Sequence, residues 1–443
     1  MPLRYFLLAG LCVAGLCAIS LPGHASTGNV ATNYGLLPID VGSAQGLSLF
    51  NTQVSSAFFN PAQLSSDVRG ELNGALLHAA HELKAISLGG SNPPIREGDV
   101  LFDRPTQQSL LGLKTNLSSL TTLEKPIHFG FMLGVEKFGA EMLAFSSETS
   151  REGQFMRFGR QPLFLNMGVA AELVSGFDIG IAATVTLASE ATFITRANLA
   201  GDTEFEQLRV NAEPTVRGIY AGRFELGELF CRDDCALDRW QTALVFRANN
   251  STSTDITSIT VVPGTIPSPG LVLLVDTLSS WHPDTLAGGV QYQGDSWRMA
   301  LTLERQKWRD LEDKLRGDVI KDQADLRFDN TLVPRIGLEK QLARHYWLRA
   351  GIAWEESPLQ GRESLNVNYF DNDRLIIGIG SAVQIPKPPI LAHPVQLEFG
   401  YQYQNLRSRS FDMTASDAPG NPFETVKAKG DVHVFTGSMM LKF

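Results

Sequence analysis

Residues 395–404 are apolar at every odd position and polar or glycine at every even one: Val395, Leu397, Phe399, Tyr401 and Tyr403 against Gln396, Glu398, Gly400, Gln402 and Gln404. A strand turns successive side chains to opposite faces, so this period of two predicts a strand with one greasy and one wet face. The same alternation runs through 127–135, 163–173, 179–187, 240–246, 286–292, 297–303 and 375–385. With weaker segments included, strands are predicted near 71–83, 109–118, 127–138, 163–173, 178–190, 218–230, 239–248, 285–292, 297–308, 332–340, 345–354, 374–385, 395–404 and 432–443. After residue 25 no apolar run approaches the roughly 18 residues that a membrane helix needs.

Fourteen strands is an even number, as in bacterial outer-membrane barrels, which join their strands by short periplasmic turns and longer extracellular loops. If the last strand runs toward the periplasm, the long segments 84–108, 139–162, 191–217, 249–284, 309–331, 355–373 and 405–431 all fall outside. The short connections, such as Ser175-Gly176-Phe177 and Gln293-Gly294-Asp295-Ser296, all fall inside. The chain closes on Met439, Leu441 and Phe443 along one face, and a terminal aromatic on an alternating strand resembles the signal read by the outer-membrane assembly machinery. The fold class expected for 71–443 is therefore an all-β transmembrane antiparallel barrel of about fourteen strands.

Composition agrees with that reading once it is resolved by face. The 443 residues are 43% hydrophobic and 19% charged, with 40 Gly and 25 Phe. Outward apolar and inward polar residues cancel, which is why the mean hydropathy of -0.04 looks soluble. A net charge of -9 and the lack of a basic run argue against a nucleic-acid partner. Arg4, the apolar stretch 5–21 and the small-residue end at Ala25 predict a signal peptide over 1–25 that removes Cys12 and Cys17. Cys231 and Cys235 remain, separated by Arg232-Asp233-Asp234 in an exported chain, and are expected to form a local disulfide; free thiols are the alternative. Two thiols are too few for a metal centre, and His78 and His81 face opposite sides of a strand, so no metal or other cofactor is expected.

Residues 26–70 do not alternate cleanly. They carry the apolar clusters Leu36-Leu37-Pro38-Ile39 and Leu47-Ser48-Leu49-Phe50, then 57–64 with Phe58, Phe59, Asn60, Pro61, Ala62 and Leu64. A fourteen-stranded barrel leaks unless its lumen is filled, so 26–70 is expected to be a plug. Here the sequence resembles the FadL/TodX outer-membrane transporters of hydrophobic compounds. Asn60-Pro61-Ala62 matches that family's plug signature, and Pro283 to Tyr292, Trp297, Trp308, 347–354, Ser357-Pro358 and Asp373-Arg374 resemble its later strands. Residues 190–280 show little to match. The resemblance implies a monomer that captures an apolar or amphipathic molecule outside, binds it beside the plug, and releases it by diffusion through a gap in the wall.

Within such a barrel, parity turns Arg247, Arg298 and Arg349 to the lumen, where a guanidinium could hold a fatty-acid carboxylate or pair with Glu172, Glu304 or Glu398. Phe58, Phe59 and Leu64 could line an apolar pocket or pack the plug against the wall. The expected function is passive uptake of fatty acids or hydrocarbons across the bacterial outer membrane, in contact with its lipid and lipopolysaccharide. Two rivals are a barrel enzyme acting on lipids and a general porin. A Gly-x-Ser-x-Gly elbow is absent from the sequence, so no enzyme is expected. A porin would need an open lumen.

Overall fold

A computed structural model describes residues 34–443 apart from 90–104, 121, 123–124, 138–140, 148–149, 159–162, 198–202, 232–234, 263–265, 317–325, 361–369 and 415–421. The expected signal peptide, with Cys12 and Cys17, lies outside the described residues.

The strands are β1 (Glu71–Ser87), β2 (Thr106–Asn116), β3 (Ile127–Lys137), β4 (Glu141–Ser147), β5 (Ser150–Phe158), β6 (Leu163–Val174), β7 (Phe177–Ala197), β8 (Thr203–Glu225) and β9 (Trp240–Arg247). They continue with β10 (Asn250–Val262), β11 (Ile266–His282), β12 (Thr285–Gln293), β13 (Trp297–Gln306), β14 (Thr331–Ala343), β15 (Tyr346–Glu355), β16 (Arg374–Ile385), β17 (Val395–Met413) and β18 (Glu424–Lys442). Among the described residues, fourteen of these close into an antiparallel barrel. The order runs from β7 through β6, β3, β2, β1 and β18 down to β12, β9 and β8, and β8 returns to β7.

Each of the fourteen overlaps a segment predicted from the alternation, because lipid on the outside makes every second residue apolar. Leu301 and Leu303 of β13, Ile377 and Ile379 of β16, and Phe399 of β17 are exposed on that outer face, while Ala300, Thr302, Ala382 and Gln402 are buried inside. At the periplasmic strand ends Trp240, Tyr292 and Trp297 sit ring to ring, with centroids 5.1 and 5.3 Å apart. Amphipathic rings at that level belong to a membrane interface.

The structure corrects the sequence reading in three places. Segments 139–162 and 249–284, expected as loops, contain the hairpins β4–β5 and β10–β11, and β10 runs parallel to the outer half of β7. The strand expected at 218–230 starts much earlier, at Thr203, and stops at Glu225, where a helical turn, α1 (Leu226–Phe230), takes over. Beyond the bilayer both faces of a strand meet water, so nothing there imposes the alternation used to find the others.

Residues 34–66 lie inside the barrel, almost wholly buried. The segment folds into short turns, Pro38–Gly42, Ser48–Phe50, Ser56–Phe59 and Pro61–Ser66, that visit the inner wall in sequence. The wall receives it at glycines. A Cβ on Gly351 of β15 would overlap the Ser43 carbonyl, and one on Gly180 of β7 would overlap the backbone at Pro61-Ala62. Close backbone approach of this kind is a use to which glycine alone is suited. Leu47, Phe50, Val54 and Leu64 fill the remaining space against β14, β12, β2 and β3. Burying each such side chain contributes about 2 kcal/mol.

Candidate functional site

Asn60 organises the end of the internal segment. Its Nδ2 donates to the Leu49 carbonyl at 2.7 Å, its Oδ1 accepts from the Ala62 amide at 3.2 Å, and it is fully buried. The residue thus closes one turn and caps the next. Pro61 occupies the first position of that turn, where a missing N–H is harmless. Ala62 brings its backbone so close to Gly180 that a Cβ there would lie 2.7 Å from the Ala62 Cα. Phe58 and Phe59 meet edge to face at 5.1 Å, and Leu64 is buried against Gly130 and Gly168.

The three predicted arginines all face the lumen, and all are engaged. Arg247 pairs with Glu304, its Nη1 donates to the Phe59 carbonyl at 3.4 Å, and its guanidinium lies 5.9 Å from the Phe58 ring centroid. Arg298 pairs with Glu339 at 2.9 Å and donates from Nη1 to the Phe50 carbonyl at 3.0 Å. Arg349 bridges Glu339 at 2.5 Å and Glu398 at 3.1 Å. Gln53 donates to that same Glu398 at 2.8 Å, and Arg335 donates to the Ala44 carbonyl at 3.4 Å. Glu172, by contrast, stands at the periplasmic edge beside Lys125, 3.4 Å away. Sequence reasoning missed Glu339, Gln53 and Arg335. Parity already turns Glu339 and Arg335 inward, but only the pairing of β13, β14 and β15 assigns their partners.

At the outer end an apolar cluster lies against the segment through Tyr34 and Val41. It gathers Leu77 and Leu83 of β1, Phe411 and Met413 of β17, Val426 of β18, and Trp308, Leu311, Phe328, Leu359 and Phe370 of the loops. Trp308 satisfies its indole N–H on Gln306 Oε1 at 2.7 Å, so the large ring is buried without an unpaired donor. Apolar walls with a few fixed polar groups make an environment for an apolar ligand.

At the inner end, the turn between β8 and β9 carries Cys231 and Cys235, whose sulfurs are bonded across a Cα separation of 6.4 Å. Among the described residues the one group with metal-ligand spacing is Cys231, Cys235 and Asp238, and both of its sulfurs are taken up in that bond. His81 meets the Tyr34 hydroxyl at 2.8 Å. Phe443 exchanges both backbone hydrogen bonds with Gly70, at 2.7 and 2.9 Å, and its ring lies over that glycine.

A closed fourteen-stranded barrel with an apolar outer face, an aromatic belt and an N-terminal segment folded into its lumen defines a multi-pass outer-membrane protein of bacteria. The comparisons carry this further. The chain is 46% identical over 441 residues to alkane uptake protein A of Marinobacter nauticus, covering 98% of this chain and 96% of that one. Its fold is similar to that of a FadL homologue of Pseudomonas aeruginosa, with a TM-score of 0.60 at 13% identity over 95% and 99% of the two chains. It is also similar to the toluene transporter TodX of Pseudomonas putida, with a TM-score of 0.50 at 12% identity over 92% and 99%. No protein-family model matches the chain. The chain belongs to the FadL/TodX family of outer-membrane transporters of hydrophobic compounds.

Proposed function

We propose that this protein admits alkanes to the cell by passive diffusion, with residues 26–70 acting as the plug that seals the lumen to polar solutes. The observation that carries the reading is the apolar cluster around Trp308, Phe328, Phe370 and Phe411, which lies at the extracellular end and runs onto the internal segment at Tyr34 and Val41. An apolar molecule crossing the polar lipopolysaccharide layer gains about 25 cal/mol for each Å² it transfers to such walls. The name of the 46%-identical relative supports alkane as the class.

In this reading Asn60, Pro61 and Ala62 shape the plug, and Phe58, Phe59 and Leu64 seat it. Arg247, Arg298 and Arg349 fasten it to the wall through carboxylates and plug carbonyls. The protein works as a monomer in outer-membrane lipid, in contact with lipopolysaccharide, is assembled there through its Phe443 strand, and performs no covalent chemistry.

Uptake of radiolabelled hexadecane by cells with and without the protein tests this. Expression should raise hexadecane uptake several-fold without raising entry of small sugars, and Trp308→Ala should abolish most of the gain. Sugar entry rising while hexadecane uptake stays level would refute it.

A further inference from the structure

Toward the extracellular rim, the outer face of β1, β17 and β18 turns basic. Lys84 of β1 lies directly across from Lys429 of β18, and Lys427 lies two residues from Lys429 on the same strand. All three are exposed, while their neighbours Leu83, Ala85, Val426 and Ala428 are buried inside. Across the β17–β18 ladder a bulge sets Arg407 and Ser408 opposite Lys429 alone, between the Leu406–Gly430 and Arg409–Ala428 pairs. Arg407 is exposed, and its guanidinium lies 5.6 Å from the Trp354 ring centroid. Among the described residues, none of these four cations has an ion pair or a side-chain hydrogen bond.

Like charges directly opposite on one face destabilise a ladder. The nearby acids leave the cations unpaired. Glu82 faces Asp431 one step nearer the membrane, so that couple repels as well. Asp431 accepts from the Tyr403 hydroxyl and from Asn405 at 2.8 Å, and Asp412, beyond Lys427, accepts from Thr425 at 2.7 Å. An anion from outside the chain would relieve the repulsion among the cations.

The height of the patch selects that anion. His433 is ten residues from Phe443, about 25 Å along the barrel axis for strands that rise about 3.3 Å per residue at a tilt near 40°. That is the height of an outer-membrane apolar band, and Tyr401, Tyr403 and His433 supply the rings at its upper edge, with Tyr403 and His433 5.3 Å apart. Lys429 and Lys84 stand about 10 Å further out, and long ammonium side chains bend back toward the headgroups. In this leaflet the headgroups are the phosphorylated sugars of lipopolysaccharide. Below them Leu76, Phe399 and Phe435 are exposed on the same outer face.

We propose that Lys84, Lys427, Lys429 and Arg407 form a docking site for the phosphates of a lipopolysaccharide molecule, whose acyl chains lie along Leu76, Phe399 and Phe435. Ammonium groups serve phosphate as point charges, and Arg407 adds a planar fork that rests on Trp354. The site rests on the reading that the protein works in contact with lipopolysaccharide, and is independent of what the lumen carries.

Native mass spectrometry of the purified full-length protein tests the site, with deep-rough lipopolysaccharide, its enzymatically dephosphorylated form and phosphatidylglycerol as probes. Lys84→Gln, Lys427→Gln and Lys429→Gln combined should weaken lipopolysaccharide binding at least tenfold, and Arg407→Gln a few-fold. Wild type should bind the dephosphorylated lipid as weakly as the triple variant binds the intact one. Lys340→Gln, which removes an exposed lysine at the periplasmic end of β14, should bind as wild type does. Heat-modifiable gel mobility reports folding; if the triple variant fails to fold, Arg407→Gln and the dephosphorylated probe carry the comparison. Wild-type affinity in the folded triple variant overturns the proposal, as does equal binding of the dephosphorylated lipid or an equal loss in Lys340→Gln. Phosphatidylglycerol bound as tightly as lipopolysaccharide would assign the patch to anionic lipid in general and overturns it too. Wild type that binds no lipopolysaccharide, in cells that still take up hexadecane, overturns this site and leaves the transport reading standing.

Discussion

The side-chain amide of Gln53 donates to Glu398 at 2.8 Å across 345 residues of sequence. Gln53 belongs to the internal segment and Glu398 to β17, where the same Oε1 also accepts from Arg349 at 3.1 Å and from Gln396 at 2.5 Å. Glu398 is fully buried, so its partners are its only compensation for lost hydration. Removing one member of a buried pair leaves an uncompensated charge and costs about 3–5 kcal/mol. Glu398→Ala should therefore loosen the segment and raise single-channel conductance in planar bilayers. Glu398→Gln, which keeps an acceptor for Gln53, should rise less. Equal conductance in wild type and Glu398→Ala would remove Glu398 from the anchor.

The lumen glycines make a steric prediction. Gly351→Val and Gly180→Val place side-chain atoms where the Ser43 carbonyl and the Pro61-Ala62 backbone now lie. Both should displace the segment, seen as small-solute leakage or as protease cleavage within 34–66, in barrels that still show heat-modifiable mobility. Gly74→Ala is the control, since the nearest atom to its added Cβ is a Leu111 methyl at 3.7 Å. Leakage from Gly74→Ala matching that from Gly351→Val would show that the effect is not local.

A pH dependence is expected from Asp40, which belongs to the internal segment and not to a strand. Burial pushes its carboxyl up from the usual 3.8 to about 6, against the opposing hydrogen bonds from Ser48 and the Leu37 amide. The folded segment therefore holds this proton more tightly than the unfolded chain does. Its stability should fall by about 3 kcal/mol as pH rises from about 4 to about 6, and level off above. Hydrogen exchange of 36–48 at stepped pH measures this. Asp40→Asn should flatten the profile relative to wild type, and an unchanged slope in the variant would assign the effect to another group.

The Cys231–Cys235 bridge closes a very short loop in the periplasmic turn. Loop-closure entropy for so few residues is worth about 2 kcal/mol, and the turn lies at the barrel end away from the Trp308 cluster. The double variant Cys231→Ser, Cys235→Ser should melt a few degrees lower and transport hexadecane as wild type does. A matching loss of transport would mean that the turn acts on the route.

The barrel strands were legible because lipid enforces the rule that reveals them. Phe399 and Ile379 must be apolar to face hydrocarbon, and Gln402 and Glu398 are tolerated because they face the lumen. The hairpins β4–β5 and β10–β11 obey no such rule and left no readable pattern. Asn60-Pro61-Ala62 was legible as a turn and a resemblance, but its close seat on Gly180 was not, because a chain with 40 glycines does not mark those that receive another backbone.

By itself the sequence determined the number of barrel strands, their inward and outward faces and the sidedness of the connections, since each follows from a local period of two and from connection length. Only the tertiary structure decided which charges meet. Arg298 and Glu339 are 41 residues apart in the chain, Arg247 and Glu304 are 57 apart, and strand pairing brings each couple together. It also set Lys84 directly across from Lys429. Alternation reports which face a residue occupies; what lies across from it depends on register and on the segment folded within.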